Sequence, residues 1–130
     1  MVQNDALAVA RAYFSAINET RLEDLAKLFT EDARLSFPQL DPIQGRKAIR
    51  DFYQNVLQFY PERKDAVTRY FISDSGDVAA EIHFQGKTAT GRSVIFEAVD
   101  LFRVHEGQIS ELKIFYDSAK VTEMIGELPK

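Results

Sequence analysis

No cysteine occurs in the 130 residues, which excludes disulfides, thiolate chemistry and any cysteine-based zinc site. Basic charge is also scarce. Sixteen Lys and Arg stand against twenty Asp and Glu, for a formal charge of −4, so no basic stripe exists to neutralise phosphates and no nucleic-acid partner is expected. Met1 to Asp5 lacks a basic segment followed by an apolar run, so no signal peptide is expected. No stretch approaches the apolar length of a membrane span. Gly-rich phosphate loops, a Gly-x-Ser-x-Gly elbow, a His-x-x-x-His pair and a dense carboxylate cluster are all missing, so neither a metal site nor a cofactor is expected. What remains is the expectation of one cytoplasmic globular domain over 1–130, without a membrane partner.

The first half carries helical periodicity. Asn4 or Asp5 is placed to cap a helix running to about Asn18, whose apolar stripe is Val9, Ala10, Tyr13, Phe14 and Ile17. Thr20-Arg21-Leu22-Glu23 has the form of a capping box and predicts a second helix, ending near Thr30-Glu31-Asp32. Ala33, Leu35 and Phe37 then alternate with polar residues in a short strand stopped by Pro38. A loop over Gln39–Gly45 leads to a third helix from about Arg46 to Phe59, burying Ile49, Phe52, Tyr53, Val56 and Leu57.

The second half predicts strands in series: about Lys64–Ser73, Val78–Ala89 with a kink or bulge at Gly86, a central strand over Val94–Val104, and Ile109 to about Ser118. Residues 119–130 form either a short helix or a tail. Helices preceding a run of antiparallel strands imply an α+β fold, the helices covering one face of a curved sheet. Ile95, Val99 and Leu101 share the face of the central strand that points away from the helices. They either pair two copies into a homodimer or pack under the C-terminal tail.

The other face of that strand carries Val94, Phe96, Ala98, Asp100, Phe102 and Val104. Asp100 is alone among apolar side chains, and a carboxyl so placed protonates or finds a donor. It is either a structural aspartate bonded to a tyrosine or to backbone, or a functional acid. Tyr13, Tyr53 and Tyr116 are the hydroxyls that converge with it if the helices fill the concave face. His83 alternates with Glu81 and Gln85, which places it on the solvent side unless a bulge flips it.

With these residues in view, the sequence resembles the SnoaL-like polyketide cyclases and the ketosteroid isomerases of the NTF2-like (cystatin-like α+β) superfamily. The resemblance runs from about Leu7 to Ser118. It is carried by Leu28-Phe29-Thr30-Glu31-Asp32-Ala33, by Ile43-Gln44-Gly45-Arg46-Lys47-Ala48-Ile49 with Phe52-Tyr53, by Ala98-Val99-Asp100-Leu101-Phe102-Arg103-Val104, and by Gly107-Gln108-Ile109 with Phe115-Tyr116-Asp117. It implies a cone-shaped fold and a site in which Tyr13 donates to a substrate oxyanion, Asp100 stays protonated and donates as well, and Tyr53 supports the network. It places Tyr116, Leu112, Phe102 and, without gaps, His83 on the pocket wall. The isomerases' catalytic base corresponds to Phe37, and phenylalanine cannot carry a proton. Asp41, in the adjacent loop, substitutes only if that loop folds inward. Two functions follow as expectations: isomerase-, cyclase- or lyase-type acid–base chemistry on a small apolar carbonyl or polyketide-like molecule, or a non-catalytic module binding a small apolar ligand.

Overall fold

One six-stranded sheet organises the chain. The computed structural model describes residues 2–125, the first four by backbone alone. In chain order the elements are α1 (Val2–Asn18), α2 (Leu22–Lys27), β1 (Phe29–Ser36), β2 (Ile43–Gln44), α3 (Arg46–Phe59), β3 (Glu62–Ile72), β4 (Val78–Lys87), β5 (Ser93–His105), β6 (Gln108–Tyr116) and α4 (Ser118–Ile125). The sheet order is β2-β1-β6-β5-β4-β3. Every neighbouring pair is antiparallel except β1 with β6. The fold is thus α+β with a curved, mostly antiparallel sheet, as the alternation predicts.

The period-two pattern decides which face meets the helices. On β4 the buried positions are Val78, Ala80, Ile82 and Phe84, and on β5 they are Val94, Ala98, Asp100 and Phe102. The stripe of α1 (Val9, Ala10, Tyr13, Phe14 and Ile17) is buried against this concave face, as are Ile49, Phe52, Tyr53 and Leu57 of α3. Burying such side chains supplies roughly 1.5–3 kcal/mol each, which is why the apolar spacing fixes how the helices sit. Gly45 enters α3 at φ +97, a left-handed conformation that favours glycine, and its N–H donates to the Ala33 carbonyl at 2.7 Å.

Several boundaries depart from the sequence reading. α1 is already helical at Asn4 and Asp5, so neither stands at its start, and their side chains lie outside the described residues. The capping box does not form: Arg21 is the N-cap residue of α2 and no side chain caps it. Thr20 instead turns the chain at φ 56, and its hydroxyl accepts from Arg63. α2 therefore ends at Lys27, and residues expected to be helical begin β1, because Phe29 is fully buried beside Ile109 of β6. The Gln39–Gly45 loop contains the two-residue strand β2. Gly86 is not a bulge, since the β4 registers with both neighbours run through it unbroken. Its role is space, because a Cβ there would lie 2.8 Å from the Phe84 ring. The bulge sits on β3, between Val67 and Arg69.

The C-terminal segment forms α4, whose Val121 and Ile125 pack with Tyr60, Phe84 and Val94 at one end of the concave face. It does not cover Ile95, Val99 and Leu101. Those three, with Phe71 and Phe115, remain exposed on the convex face.

Candidate active site

Between α1, α3 and the concave face lies a narrow cavity of about 80 Å³. That is below the roughly 300–1,000 Å³ of drug-sized ligand sites, so it accommodates a small molecule or the reactive end of a larger one. Aromatic rings narrow it. Phe37 meets Phe52 edge-on at 5.2 Å and Tyr116 at 5.6 Å, while Tyr116 lies 4.7 Å from Phe96. Two carboxyl groups reach this largely apolar lining, Asp100 and Asp65.

Asp100 is held by the sheet. It lies opposite Ala80 on β4 and Ile114 on β6, is 3% exposed, and has no hydrogen-bond partner among the described residues. Burial pushes its pKa well above the ordinary carboxylate range, and negative charge on Asp65 pushes it further the same way. Its surroundings thus favour the neutral carboxylic acid.

Asp65 is held differently. It lies on β3, an edge strand, opposite the inward-facing Phe84. On the open side of β3 the amide of Asn18, the last residue of α1, closes both of its backbone groups. The Asp65 N–H donates to Asn18 Oδ1 at 2.8 Å, and Asn18 Nδ2 donates to the Asp65 carbonyl at 3.0 Å. Two residues earlier, Arg63 donates from Nη1 to the Tyr60 carbonyl at 2.9 Å. From Nη2 it donates to the Ile17 carbonyl and the Thr20 hydroxyl, both at 2.6 Å. The positive guanidinium thus sits at the negative end of the α1 dipole. These contacts bolt the end of α1 to β3 and leave the Asp65 carboxyl facing the cavity. Burial raises its pKa to about 6, with the Arg63 charge pulling the other way. At neutral pH Asp65 is a carboxylate.

The two tyrosines from the helices meet each other rather than Asp100. The hydroxyls of Tyr13 and Tyr53 lie 2.5 Å apart, buried on the cavity wall. Both phenols are pushed well above their ordinary pKa, chiefly by burial, and both lie close enough to Asp100 that charge on it would push them further. Asp100 is therefore near both without a direct bond, which corrects the expected Tyr13–Asp100 pairing. One hydroxyl of the pair donates to the other, and the accepting one keeps its own proton free to donate to a ligand.

Of the remaining residues read from the sequence, Phe37 and Tyr116 line the cavity. His83 does not. It points to the convex face, where Nδ1 lies 2.9 Å from Glu97 Oε1, as its strand alternation predicts and the ungapped resemblance does not. Phe102 and Leu112 are core residues rather than wall. Phe102 packs on Tyr13 and Phe14 at 5.2 and 5.7 Å, and Leu112 is fully buried opposite it on β6. Asp41 is exposed, so its loop does not fold inward. Asp65 was not singled out by the sequence reading. The signal that would have found it is the pairing of β3 with β4 from the Asp74–Asp77 turn, counted through the bulge.

The chain belongs to the SnoaL-like domain family, which it matches over residues 10–112. Solved structures of the same fold include Bal32a from a soil-derived mobile gene cassette, at 18% identity and TM-score 0.86, covering 95% of this chain and 98% of that one. An NTF2-like protein of unknown function from Burkholderia pseudomallei K96243 is similar at 16% identity and TM-score 0.86, with coverage of 95% and 98%. SalBIII, an epoxide hydrolase/cyclase-like enzyme described in pyran ring formation in the polyether salinomycin, is similar at 21% identity and TM-score 0.82, with coverage of 92% and 96%. No curated protein matches the sequence. Among the described residues no helix is long and apolar enough to cross a membrane.

Proposed function

We propose that this protein is an acid–base enzyme that isomerises or cyclises a small, mostly apolar, oxygen-bearing molecule, with Asp100 as the acid and Asp65 as the base. One observation carries the reading: two carboxyl groups without hydrogen bonds of their own line a single apolar cavity, and their surroundings favour the neutral form of Asp100 while Asp65, at about 6, is ionised at pH 7. Titratable pairs driven apart in this way mark the acid and the base of a site. A base with pKa about 6 is also well matched to neutral operation.

In an isomerisation, Asp65 takes a proton from carbon beside a carbonyl while Asp100 donates to the carbonyl oxygen, and the proton returns to a different carbon. In a cyclisation, Asp65 takes the proton of an attacking hydroxyl as its oxygen bonds to carbon. Asp100 gives its proton to the oxygen whose bond to that carbon breaks. Asp65 ends protonated and Asp100 ionised, and exchange with water resets them. The SalBIII likeness supports the second form, and the apolar wall of Phe37, Phe52 and Phe96 suits either by excluding water. Phe37 at the position of the isomerases' base then makes sense as wall, the base being supplied from β3.

The test is a product screen by liquid chromatography and mass spectrometry over β,γ-unsaturated ketones and hydroxy-epoxides, repeated with Asp65→Asn and Asp100→Asn. Turnover by the parent protein that either substitution lowers about 100-fold or more, with folding intact, supports the assignment. Turnover indifferent to both overturns it. Ligand binding without turnover favours the alternative of a non-catalytic binding module.

The convex face adds a proposal about assembly. Phe71, Ile95, Val99, Leu101 and Phe115 lie exposed on β3, β5 and β6, with Ile95 and Phe115 more than half exposed. We infer a homodimer through this face. Light scattering should return twice the chain mass, and Ile95→Glu with Phe115→Glu should return a single chain.

A further inference from the structure

Besides the Asp100 carboxyl, two buried polar atoms among the described side chains lack a hydrogen-bond partner: the Tyr60 hydroxyl and Arg63 Nε. Both residues line the cavity that holds Asp65 and Asp100. Leaving a buried donor unpaired costs about 1–3 kcal/mol, so two such atoms beside one cavity require an account. Packing alone does not give one. Tyr60 is 5% exposed in an apolar cluster with Phe84, Val94, Val121 and Ile125, where a phenylalanine would fill the same space without the cost. Arg63 uses both terminal nitrogens on acceptors, and the unused Nε is the donor nearest its own stem. The two residues are neighbours, since Arg63 donates to the Tyr60 carbonyl.

We propose that this end of the cavity is an oxygen-reading subsite, in which the Tyr60 hydroxyl donates to a carbonyl oxygen of an otherwise apolar ligand. The ligand then carries two oxygens, one at the Asp100 acid and one here. The second fixes which way round the ring or chain enters. Burial raises the Tyr60 pKa to about 12, so the phenol stays a neutral donor throughout the working range. As a neutral phenol it can donate to such an oxygen. Tyr116, whose titration senses Tyr60, flanks the same end and closes it from the β6 side.

The subsite rests on reading the cavity as a ligand site, and its test needs no turnover. Two probes of nearly equal shape, 1-indanone and indane, are titrated into the full chain and followed by amide NMR shifts. The parent protein is expected to bind the ketone about tenfold more tightly, and Tyr60→Phe is expected to cut that ratio to near one. The thermal midpoint of Tyr60→Phe should stay level or rise, because the substitution deletes only the unpaired oxygen. No ketone preference in the parent overturns the subsite. A preference that Tyr60→Phe leaves intact also overturns it, because the ketone is then docking on Asp100. Loss of catalysis by the carboxyl variants with an unchanged indanone ratio separates the subsite from the proton-transfer reading.

Discussion

Asp100 and Asp65 are the same side chain put into one cavity by opposite means. Asp100 sits at the middle of the sheet, on a strand paired on both sides, and its position follows from register alone. Asp65 sits on an edge strand, and its free backbone is closed by a side chain from α1. Burial favours the neutral form of the first, while the second is half-buried beside a guanidinium and ionised at pH 7. On the proposed reading, depth makes one aspartate the acid, and an edge with an adjacent cation makes the other the base.

The largest expected effect comes from erasing the difference at its chemical end. Asp65→Asn and Asp100→Asn should each lower turnover by about 100- to 10,000-fold, the range of a positioned general acid or base. Both substitutions should also relieve a cost of folding at pH 7. The raised pKa of Asp100 makes the folded state keep a proton that the unfolded state has lost, so asparagine should raise the unfolding midpoint. Asp65 is ionised at pH 7 at the expense of folding, so asparagine should stabilise by about 1 kcal/mol, a figure discounted for solvent screening at a partly exposed carboxyl. A chemical-denaturation series at pH 7 reads both. Loss of activity together with a gain of stability is what a functional residue gives.

Next comes the edge itself. Asn18→Ala removes both hydrogen bonds to the Asp65 backbone and should cost about 1–2 kcal/mol of stability. If Asn18 only supports the fold, the Asp65 titration will not move. If it aims the carboxyl into the cavity, the carbon-13 midpoint of Asp65 should fall from about 6 toward the ordinary aspartate value. The Asp100 signal should hold.

The pH dependence of stability sharpens the pair further. Both carboxyls have folded-state pKa values above their unfolded ones, so the folded state binds more protons and stability falls as pH rises. For Asp65 the fall runs from just below pH 4 to just above its folded value of about 6. The groups facing it are Arg63 on β3, Tyr13 on α1, Tyr53 on α3 and Asp100 on β5, and of these only Asp100 is another carboxyl. Unfolding free energy measured at pH 5 and 7 should therefore decrease, and Asp65→Asn should remove part of that slope, the share of Asp100 persisting.

The same contrast explains what could be read from the chain. Asp100 was legible because its strand alternates without interruption from Val94 to Val104, and one charged residue in an apolar row stands out. The α3 boundaries were legible for a similar reason, with Gly45 at one end and Pro61 just past the other. Asp65 was not, because its strand has charges on both faces and a bulge at Thr68. Counting back by twos from Tyr70, which pairs with Ala80 on the concave face, places Asp65 outside. The register shift restores it to the inside, opposite Phe84, and no local pattern announces that shift. The failed capping box has a tertiary cause too: Arg63, 43 residues along the chain, takes the Thr20 hydroxyl.

His83 supplies the smallest expected effect and the cleanest control. It lies between the two aspartates in sequence and one strand from each, yet on the convex face. Its bond to Glu97 is a surface pair, with side chains 34% and 71% exposed, and such pairs contribute about 0–1 kcal/mol. His83→Ala should thus change unfolding free energy by less than about 0.5 kcal/mol and leave the Asp65 and Asp100 titrations untouched. A shift in either titration would mean that charge on the convex face reaches the cavity through the sheet. The contrast between centre and edge would then no longer explain the two pKa values.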